Sequence, residues 1–256
     1  MKKFFLLAVS ASLLATSCEK DDNGHKLDLP ESYLYATIMS VDQATAFADE
    51  ESDETVEHDI YFLLDNQEMF VVTENVSKVD YEDIAVGERV IAGVTLSEIS
   101  DESYNYTAKL YDVKSVIVGE NAVVTTEEES EAIADHKFSD IAEKITLENG
   151  YLNLLVAVDS EKVGDIQFYL VDNQIESVEK EGESYLNLEL RYDSAGEDGK
   201  GTSYEKYVSF EMESYRDQLV DMDGVSLRIK NAKDEITSIE VKIDPASDLF
   251  PSVDEE

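Results

Sequence analysis

The sequence is poor in the residues that build disulfides, metal sites and phosphate-binding surfaces. It has one cysteine, three histidines, three prolines and no tryptophan in 256 residues. A single cysteine excludes an intrachain disulfide and a cysteine-rich metal site. Basic residues are also scarce, because 20 Lys and Arg stand against 59 Asp and Glu, for a net charge of −39. So acidic a chain is not expected to bind nucleic acid, which requires basic residues to displace phosphate counterions.

Long apolar runs are also lacking. The longest, Phe4 to Ala15, has 12 residues with two serines among them, whereas a membrane-spanning helix needs about 20. It follows Lys2 and Lys3 and precedes a polar, acidic stretch, which is the pattern of a secretory signal peptide. We therefore predict that residues 1–17 are a cleaved lipoprotein signal peptide.

The only cysteine lies where a lipid anchor would be attached. Cys18 follows the small residues Ala15, Thr16 and Ser17, as in a bacterial lipobox, and we predict that it is acylated. Several acyl chains together make a stable anchor. The next four residues are Glu19, Lys20, Asp21 and Asp22. They resemble the tag that directs Bacteroidota lipoproteins to the outer face of the outer membrane. The alternative is that they belong to a solvated tether over residues 18–30. The predicted location is the outer membrane, with either orientation left open.

Residues 31–122 are dominated by β-branched and aromatic residues, which favour strands. Five strands are predicted, over Tyr33–Val41, Asp59–Leu64, Met69–Thr73, Arg89–Ile99 and Tyr104–Val118. A short helical turn is expected over Asp80–Val86, before the fourth strand. This order is typical of a five-stranded Greek-key barrel of the OB type. The alternation of the fifth strand slips near Asp112, which predicts a bulge there.

Residues 123–144 are predicted to form an acidic connector. Thr125 to Glu131 holds four glutamates, and charge runs of this kind are usually solvated. From Ala132 onward the apolar residues are spaced weakly as in a helix, at Ile133, Phe138, Ile141 and Ile145. A short helix is therefore expected in the connector.

Residues 145–244 alternate more clearly between apolar and polar positions. Leu186, Leu188, Leu190 and Tyr192 share one face of a strand, and about six such strands occur without a long helix. This pattern predicts an antiparallel β-sandwich. Residues 245–256 are read as an acidic tail. The predicted fold class is thus mainly β, with a barrel followed by a sandwich.

Three short motifs resemble the NigD-like lipoprotein family of Bacteroidota in their order and spacing. They are Gly87-Glu88-Arg89-Val90-Ile91-Ala92, Gly150-Tyr151-Leu152-Asn153-Leu154, and Val208-Ser209-Phe210-Glu211-Met212 before a turn at Ser214–Gln218. The resemblance covers the whole mature chain and implies an OB-type domain followed by a β-sandwich. It also implies a role in bacteriocin immunity, which has been suggested for the family, and it brings no established catalytic residue.

The sequence contains no recognisable catalytic constellation. The three histidines, His25, His58 and His136, lack ligand spacing, and there is no nucleophile elbow or glycine-rich phosphate loop. A glycosidase-like pair of carboxylates stays open, because the acidic residues are so numerous. We predict no catalytic residue and no cofactor.

One acidic turn resembles the start of a calcium loop. Asp221-Met222-Asp223-Gly224 has the opening pattern, but the twelfth position is Ala232, where a bidentate glutamate is required. An ordinary Asp-Gly turn is the preferred interpretation. We predict no metal site and only diffuse binding of divalent cations.

Four tyrosines of the predicted barrel are candidates for a ligand-binding face: Tyr33, Tyr35, Tyr104 and Tyr106. The alternative is that these tyrosines pack within the sheet. The sequence favours a membrane-anchored, non-enzymatic binding protein whose partner is a basic protein or peptide, since the surface attracts cations. The alternative is a glycan-associated surface lipoprotein, either an accessory binding module or a weak hydrolase. Binding to a glycan array would distinguish the two.

Overall fold

The computed structural model describes residues 32–40, 60–76, 85–98, 105–162, 166–174, 178–180, 182–194, 200–243 and 249–250. The predicted signal peptide, Cys18, the acidic tag after it, Tyr104 and most of the expected helical turn at 80–86 lie outside these residues. The chain divides between Ser115 and Val116 into two compact units. No helix in the described part is long and apolar enough to cross a membrane.

The first unit is a closed five-stranded barrel. Its strands are β1 (Ser32–Ser40), β2 (Ile60–Leu64), β3 (Met69–Asn75), β4 (Arg89–Glu98) and β5 (Tyr106–Ser115), in the order β1-β2-β3-β5-β4. Antiparallel pairing of β1 with β4 and parallel pairing of β3 with β5 close the barrel. The predicted OB-like barrel is therefore confirmed.

Alternation along the strands fills the barrel interior. Ala36 and Ile38 of β1 are buried in the same core cluster as Phe62 and Phe70, whose rings stack with centroids 4.7 Å apart. The bulge predicted near Asp112 is also confirmed. Leu110 pairs with Val94 and Asp112 with Gly93, so Tyr111 is the extra residue on β5.

The second unit begins where β5 ends and contains the other strands. They are β6 (Ile117–Val118), β7 (Glu120–Val123), β8 (Phe138–Glu148), β9 (Tyr151–Ser160), β10 (Gln167–Asp172), β11 (Val178–Lys180), β12 (Glu183–Asp193), β13 (Thr202–Glu211), β14 (Gly224–Lys230) and β15 (Ile236–Lys242). Helix α1 spans Glu127–Ala132, and a 3-10 turn (Glu213–Tyr215) runs into α2 (Arg216–Leu219).

These strands form two sheets around one apolar core. One sheet has the order β15-β14-β12-β10-β7, with β11 also paired to β12, and the other has the order β6-β13-β9-β8. The predicted β-sandwich is confirmed. Its sheets are mixed rather than wholly antiparallel, since β7 with β10, β12 with β14, and β6 with β13 pair in parallel.

The predicted connector at 123–144 differs from the structure. The helix is Glu127–Ala132, where Thr126 and Glu129 form a capping box, and Phe138–Glu148 is strand β8. The helix-like spacing of Phe138, Ile141 and Ile145 has a local cause. Register shifts against β9 insert extra residues between these positions, so the period of two is lost while all three side chains still reach the core.

The boundary of the barrel also differs from the predicted position at residue 122. The residues of β6 fall at the end of the predicted fifth barrel strand, and those of β7 fall at the predicted end of the barrel domain. Each of these strands instead pairs within the sandwich. Only Gly119 separates them, although they belong to opposite sheets. A Cβ on Gly119 would lie 2.1 Å from the ring of buried Phe210, so glycine is needed where the chain crosses between the sheets.

Candidate functional site

The structure separates the tyrosines proposed as one ligand face. Leu34 and Ala36 of β1 pack into the barrel core. Since successive side chains of a strand point to opposite faces, Tyr33 and Tyr35 lie on the outside of the barrel. Tyr106 packs against that core from β5, and its hydroxyl donates to Glu68 Oε2 at 3.1 Å. Tyr106 is on the same side of β5 as Ala108 and Leu110, which are buried in the barrel core. The expectation that it shares a face with Tyr33 and Tyr35 is therefore wrong. Tyr104 lies outside the described residues.

The two outer tyrosines contact cations. The Arg89 guanidinium lies 5.2 Å from the centre of the Tyr35 ring, and Lys114 Nζ lies 5.3 Å from the centre of the Tyr33 ring. Such contacts are attractive because the ring face carries partial negative charge. Tyr35 thus packs as part of the barrel wall. Tyr33, 44% exposed, is the most exposed of the three tyrosines of this set that the structure describes.

A partly buried ion network lies on the outer face of the larger sandwich sheet. Glu189 accepts from Arg191 Nη2 at 2.6 Å and from Arg228 Nη1 at 2.7 Å. Arg191 also donates to the backbone oxygen and the hydroxyl of Ser130 at 2.8 and 3.0 Å. These bonds join α1 to β12, so the network explains why the acidic segment is ordered against the sheet. Sequence reasoning missed it, because the residues are far apart in the chain.

Polar residues singled out for metal chemistry have structural contacts. His136 Nδ1 lies 3.2 Å from Ser194 Oγ, while the other two histidines lie outside the described residues. Asp223 Oδ2 accepts the backbone N–H of Ser184 at 2.7 Å. Within the described ranges, no three His, Cys, Asp or Glu side chains are grouped to hold a metal ion.

A groove lies on one side of the sandwich, between the edge strands β8 and β15. Its volume is about 290 Å³. Apolar groups of Phe138, Ile141 and Ile239 line it together with Thr237, and further lining residues come from β8 and from the turn after β14: Ser139, Asp140, Asn231, Ala232 and Lys233. We call this cavity the edge groove.

The end of the edge groove is held by the turn between β14 and β15. Asn231 Oδ1 accepts the backbone N–H groups of Lys233 and Glu235 at 2.9 and 3.1 Å. Asn231 also forms a parallel bridge with Phe138, which ties the start of β8 to this turn. Lys230 Nζ lies 3.4 Å from Asp234 Oδ1 and 3.6 Å from Asp135 Oδ2. The two strands that form the groove are thereby fixed at one end.

The wall of the edge groove contains a polar atom without a partner. Ser139 Oγ is buried and has no hydrogen bond in the described structure. Ser139 lies at the register shift between Phe138 and Asp140, where the regular pairing of β8 is interrupted. Buried polar atoms normally find a partner, so this hydroxyl is an exception located beside the interrupted pairing of β8. Broken alternation in β8 is the sequence signal that could have located this groove.

The fold defines a two-domain β protein, in which an OB-like barrel is followed by a sandwich. The edge groove between β8 and β15 lies on one side of this sandwich. Residues 121–243 match the family model described as NigD-like C-terminal beta sandwich domain. The resemblance drawn from the sequence motifs is thus confirmed for this domain. No curated protein matches the chain.

Solved structures from Bacteroides share the fold across both domains. A protein of unknown function, DUF1344, from Bacteroides vulgatus ATCC 8482 is 21% identical with a TM-score of 0.60, and the match covers 87% of this chain and 92% of that one. A NigD-like immunity protein from Bacteroides caccae ATCC 43185 is 14% identical with a TM-score of 0.51, over 84% and 93% of the two chains. A third, from Bacteroides fragilis NCTC 9343 and provisionally named a lipoprotein, is 12% identical with a TM-score of 0.51, over 83% and 98%.

Proposed function

We propose that the protein is a lipid-anchored envelope protein of NigD-like type that binds another polypeptide and catalyses no reaction. The observation that carries this proposal is the edge groove, a cleft of mixed apolar and polar lining beside a sheet edge, in a chain of net charge −39. Apolar clefts with a few polar groups are the usual form of a binding site. The family match of residues 121–243 supports a NigD-like role.

The charge favours a basic partner. A net charge of −39 attracts cationic proteins over long distances and speeds their association, while it repels nucleic acid and other anions. A basic secreted polypeptide, such as a bacteriocin that attacks the cell envelope, has the required chemistry. The word immunity in the name of the similar Bacteroides caccae structure agrees with a protective role.

The anchor places the protein where such a partner arrives. Acylated Cys18, after removal of residues 1–17, would hold the protein at the outer membrane through several buried acyl chains. Glu19, Lys20, Asp21 and Asp22 would direct it to the outer face. Binding at that surface would intercept a basic polypeptide before it reaches its target.

An array can test the proposed class of ligand. Mature protein with Cys18→Ser, which cannot be acylated, is applied to immobilised basic polypeptides, acidic polypeptides and glycans at about 0.15 M salt, where the Debye length is about 8 Å. We expect retention of the basic polypeptides alone. Strong retention of saccharides with no retention of basic polypeptides would overturn the proposal and favour a glycan-associated lipoprotein.

A protection assay tests the physiological role. Cells that express the wild-type chain are compared with cells that express Cys18→Ala, which is matched in every residue except the anchor. We expect a basic bacteriocin to kill fewer wild-type cells, because only the anchored protein is concentrated at the surface. Equal killing of both, at equal protein levels, contradicts the envelope role.

A further inference from the structure

Strand β15 is the longest regular sheet edge in the described part of the chain. The barrel strands close on themselves, and the sandwich edges β6 and β7 have only two and four residues. The remaining edge, β8, has 11 residues but is broken by two register shifts. The seven residues of β15 pair with β14 without a shift. Bulges and short lengths protect an edge from further pairing, and β15 has neither.

The edge of β15 borders the edge groove. Alternate residues of an edge strand direct their N–H and C=O groups away from the sheet, where another strand can bond to them. Thr237 and Ile239 face the groove, and Phe138 and Ile141 of β8 lie across it. A strand added to β15 would therefore extend the larger sheet across the open side. Every second side chain of that strand would enter the cavity of about 290 Å³.

The charge distinguishes between the occupants that such an edge could take. A second copy of this chain would bring a net charge of −39 against −39, and self-repulsion of that size opposes association. A basic segment is attracted instead. The local charges nearly balance, because Asp140 and Lys233 both line the groove and β15 contains both Glu240 and Lys242. The overall charge of −39 is therefore what favours a basic segment.

We propose that β15 binds an extended basic segment of a partner protein by strand addition. Apolar side chains of the segment enter the edge groove, and its basic side chains face solvent on the other side of the extended sheet. Main-chain hydrogen bonds supply affinity in this mode, while pockets for alternate side chains supply specificity. The inference rests on the proposed function only in taking the partner to be a basic polypeptide.

The test uses a defined peptide as the probe. A fluorescent peptide of alternating lysine and valine, with seven residues to match β15, is titrated with the mature Cys18→Ser protein at about 0.15 M salt. Three control peptides are used. One has the same composition with the lysines and valines in separate blocks, and the other two have methyl groups on alternate backbone nitrogens, one in each register. We expect the alternating peptide to bind, the block peptide to bind about tenfold more weakly, and one methylated register to fail.

Matched substitutions on β15 locate the binding site. Thr237 is exposed and lines the groove, whereas Ile236, 60% exposed, precedes it on the opposite face of the strand. Thr237→Lys and Ile236→Lys add the same charge to the same strand, and melting curves verify that both fold. We expect Thr237→Lys to weaken binding about tenfold or more and Ile236→Lys less than about threefold. Thr237→Glu, which reverses the added charge, should retain binding.

The outcomes separate the site from the proposed function. If both lysine variants weaken the probe equally, or the block peptide binds as well as the alternating one, attraction is diffuse and strand addition at β15 is overturned, while binding of basic polypeptides stands. If the wild type sediments as a dimer that Thr237→Lys dissociates, the occupant is a second copy and the inference is wrong. If the array retains basic polypeptides but the alternating peptide does not bind, the edge is again not the site.

Discussion

Arg89 and Asp65 form a bidentate, almost fully buried ion pair in the barrel. Arg89 Nη1 donates to Asp65 Oδ1 at 2.6 Å and Nη2 donates to Oδ2 at 2.7 Å, with side chains 3% and 8% exposed. Burial raises the pKa of Asp65, and the hydrogen bonds and charge of Arg89 oppose that rise. The pair joins the turn after β2 to the first residue of β4.

Arg89→Met should destabilise the barrel strongly and in a pH-dependent way. Removing one partner of a buried pair typically costs about 3–5 kcal/mol, because the other charge is left without compensation. Without Arg89 the pKa of Asp65 rises further, so the folded state takes up a proton that the unfolded chain releases. Stability then falls as pH rises from the usual pKa of 3.8 toward the raised value. The deficit relative to wild type, measured by urea unfolding, should be smaller at acid than at neutral pH.

Two controls distinguish charge from lost packing. Asp65→Leu combined with Arg89→Met should recover much of the stability, since replacing both partners avoids an isolated charge. Lys109→Met breaks an exposed pair with Glu74 in the same unit and should cost less than about 1 kcal/mol. If Arg89→Met loses the same amount of stability relative to wild type at every pH, then the unpaired charge of Asp65 is not the cause of that loss.

Gly119→Ala should destabilise the sandwich by about 1–3 kcal/mol, the usual cost of overpacking a core. Its Cβ would lie 2.1 Å from the fully buried Phe210 ring. Phe210→Leu makes room, so the double variant should be more stable than the sum of the single effects predicts. If chemical denaturation shows that the effects of the two single substitutions on stability simply add, then the backbone at Gly119 can move away from the Phe210 ring.

The domain boundary can be tested with two fragments. Residues 116–256 include every described strand of the sandwich and should fold and melt cooperatively, because the unit has its own core. Residues 145–256, which begin where the sequence alone placed the second domain, lack β6, β7, α1 and Phe138, whose ring lies 4.8 Å from that of Tyr192. We expect this fragment to lose its dispersed amide spectrum. A folded 145–256 fragment would restore the sequence-based boundary.

Salt should stabilise the protein through its charge. With 59 acidic and 20 basic residues, most carboxylates lack a basic partner, and screening shortens the Debye length from about 30 Å at 0.01 M salt to about 8 Å at 0.15 M. We expect a gradual rise in melting temperature with sodium chloride and a somewhat larger one with calcium at equal ionic strength. A saturable rise at micromolar calcium, reversed by chelator, would indicate a dedicated site instead.

Cys18 should carry the lipid anchor. Metabolic labelling with a palmitate analogue is expected to mark the wild-type protein and to leave Cys18→Ala unlabelled and released from the membrane fraction. Acylation requires the thiol, and several buried chains are needed for stable attachment. If Cys18→Ala still labels and still sediments with membranes, the assignment is wrong.

Local patterns in the sequence were sufficient for the fold class. Leu186, Leu188, Leu190 and Tyr192 alternate along β12 and all reach the sandwich core, because successive side chains of any strand point to opposite faces. The slip near Asp112 marked the bulge at Tyr111 for the same reason. Net charge and the scarcity of cysteine depend on composition alone, so their consequences required no structure.

Strand pairing decided the rest. Phe138, Ile141 and Ile145 read as helical because register shifts against β9 removed their alternation, and a register exists only once the partner strand is in place. For Tyr33 and Tyr106, only barrel closure showed that one ring lies outside and the other packs inward. The edge groove likewise depends on β8 and β15, which are far apart in sequence and become neighbours only when the two sheets pack. Composition and periodicity are local properties, whereas pairing, closure and grooves arise from contacts between distant segments, and these only the tertiary structure determines.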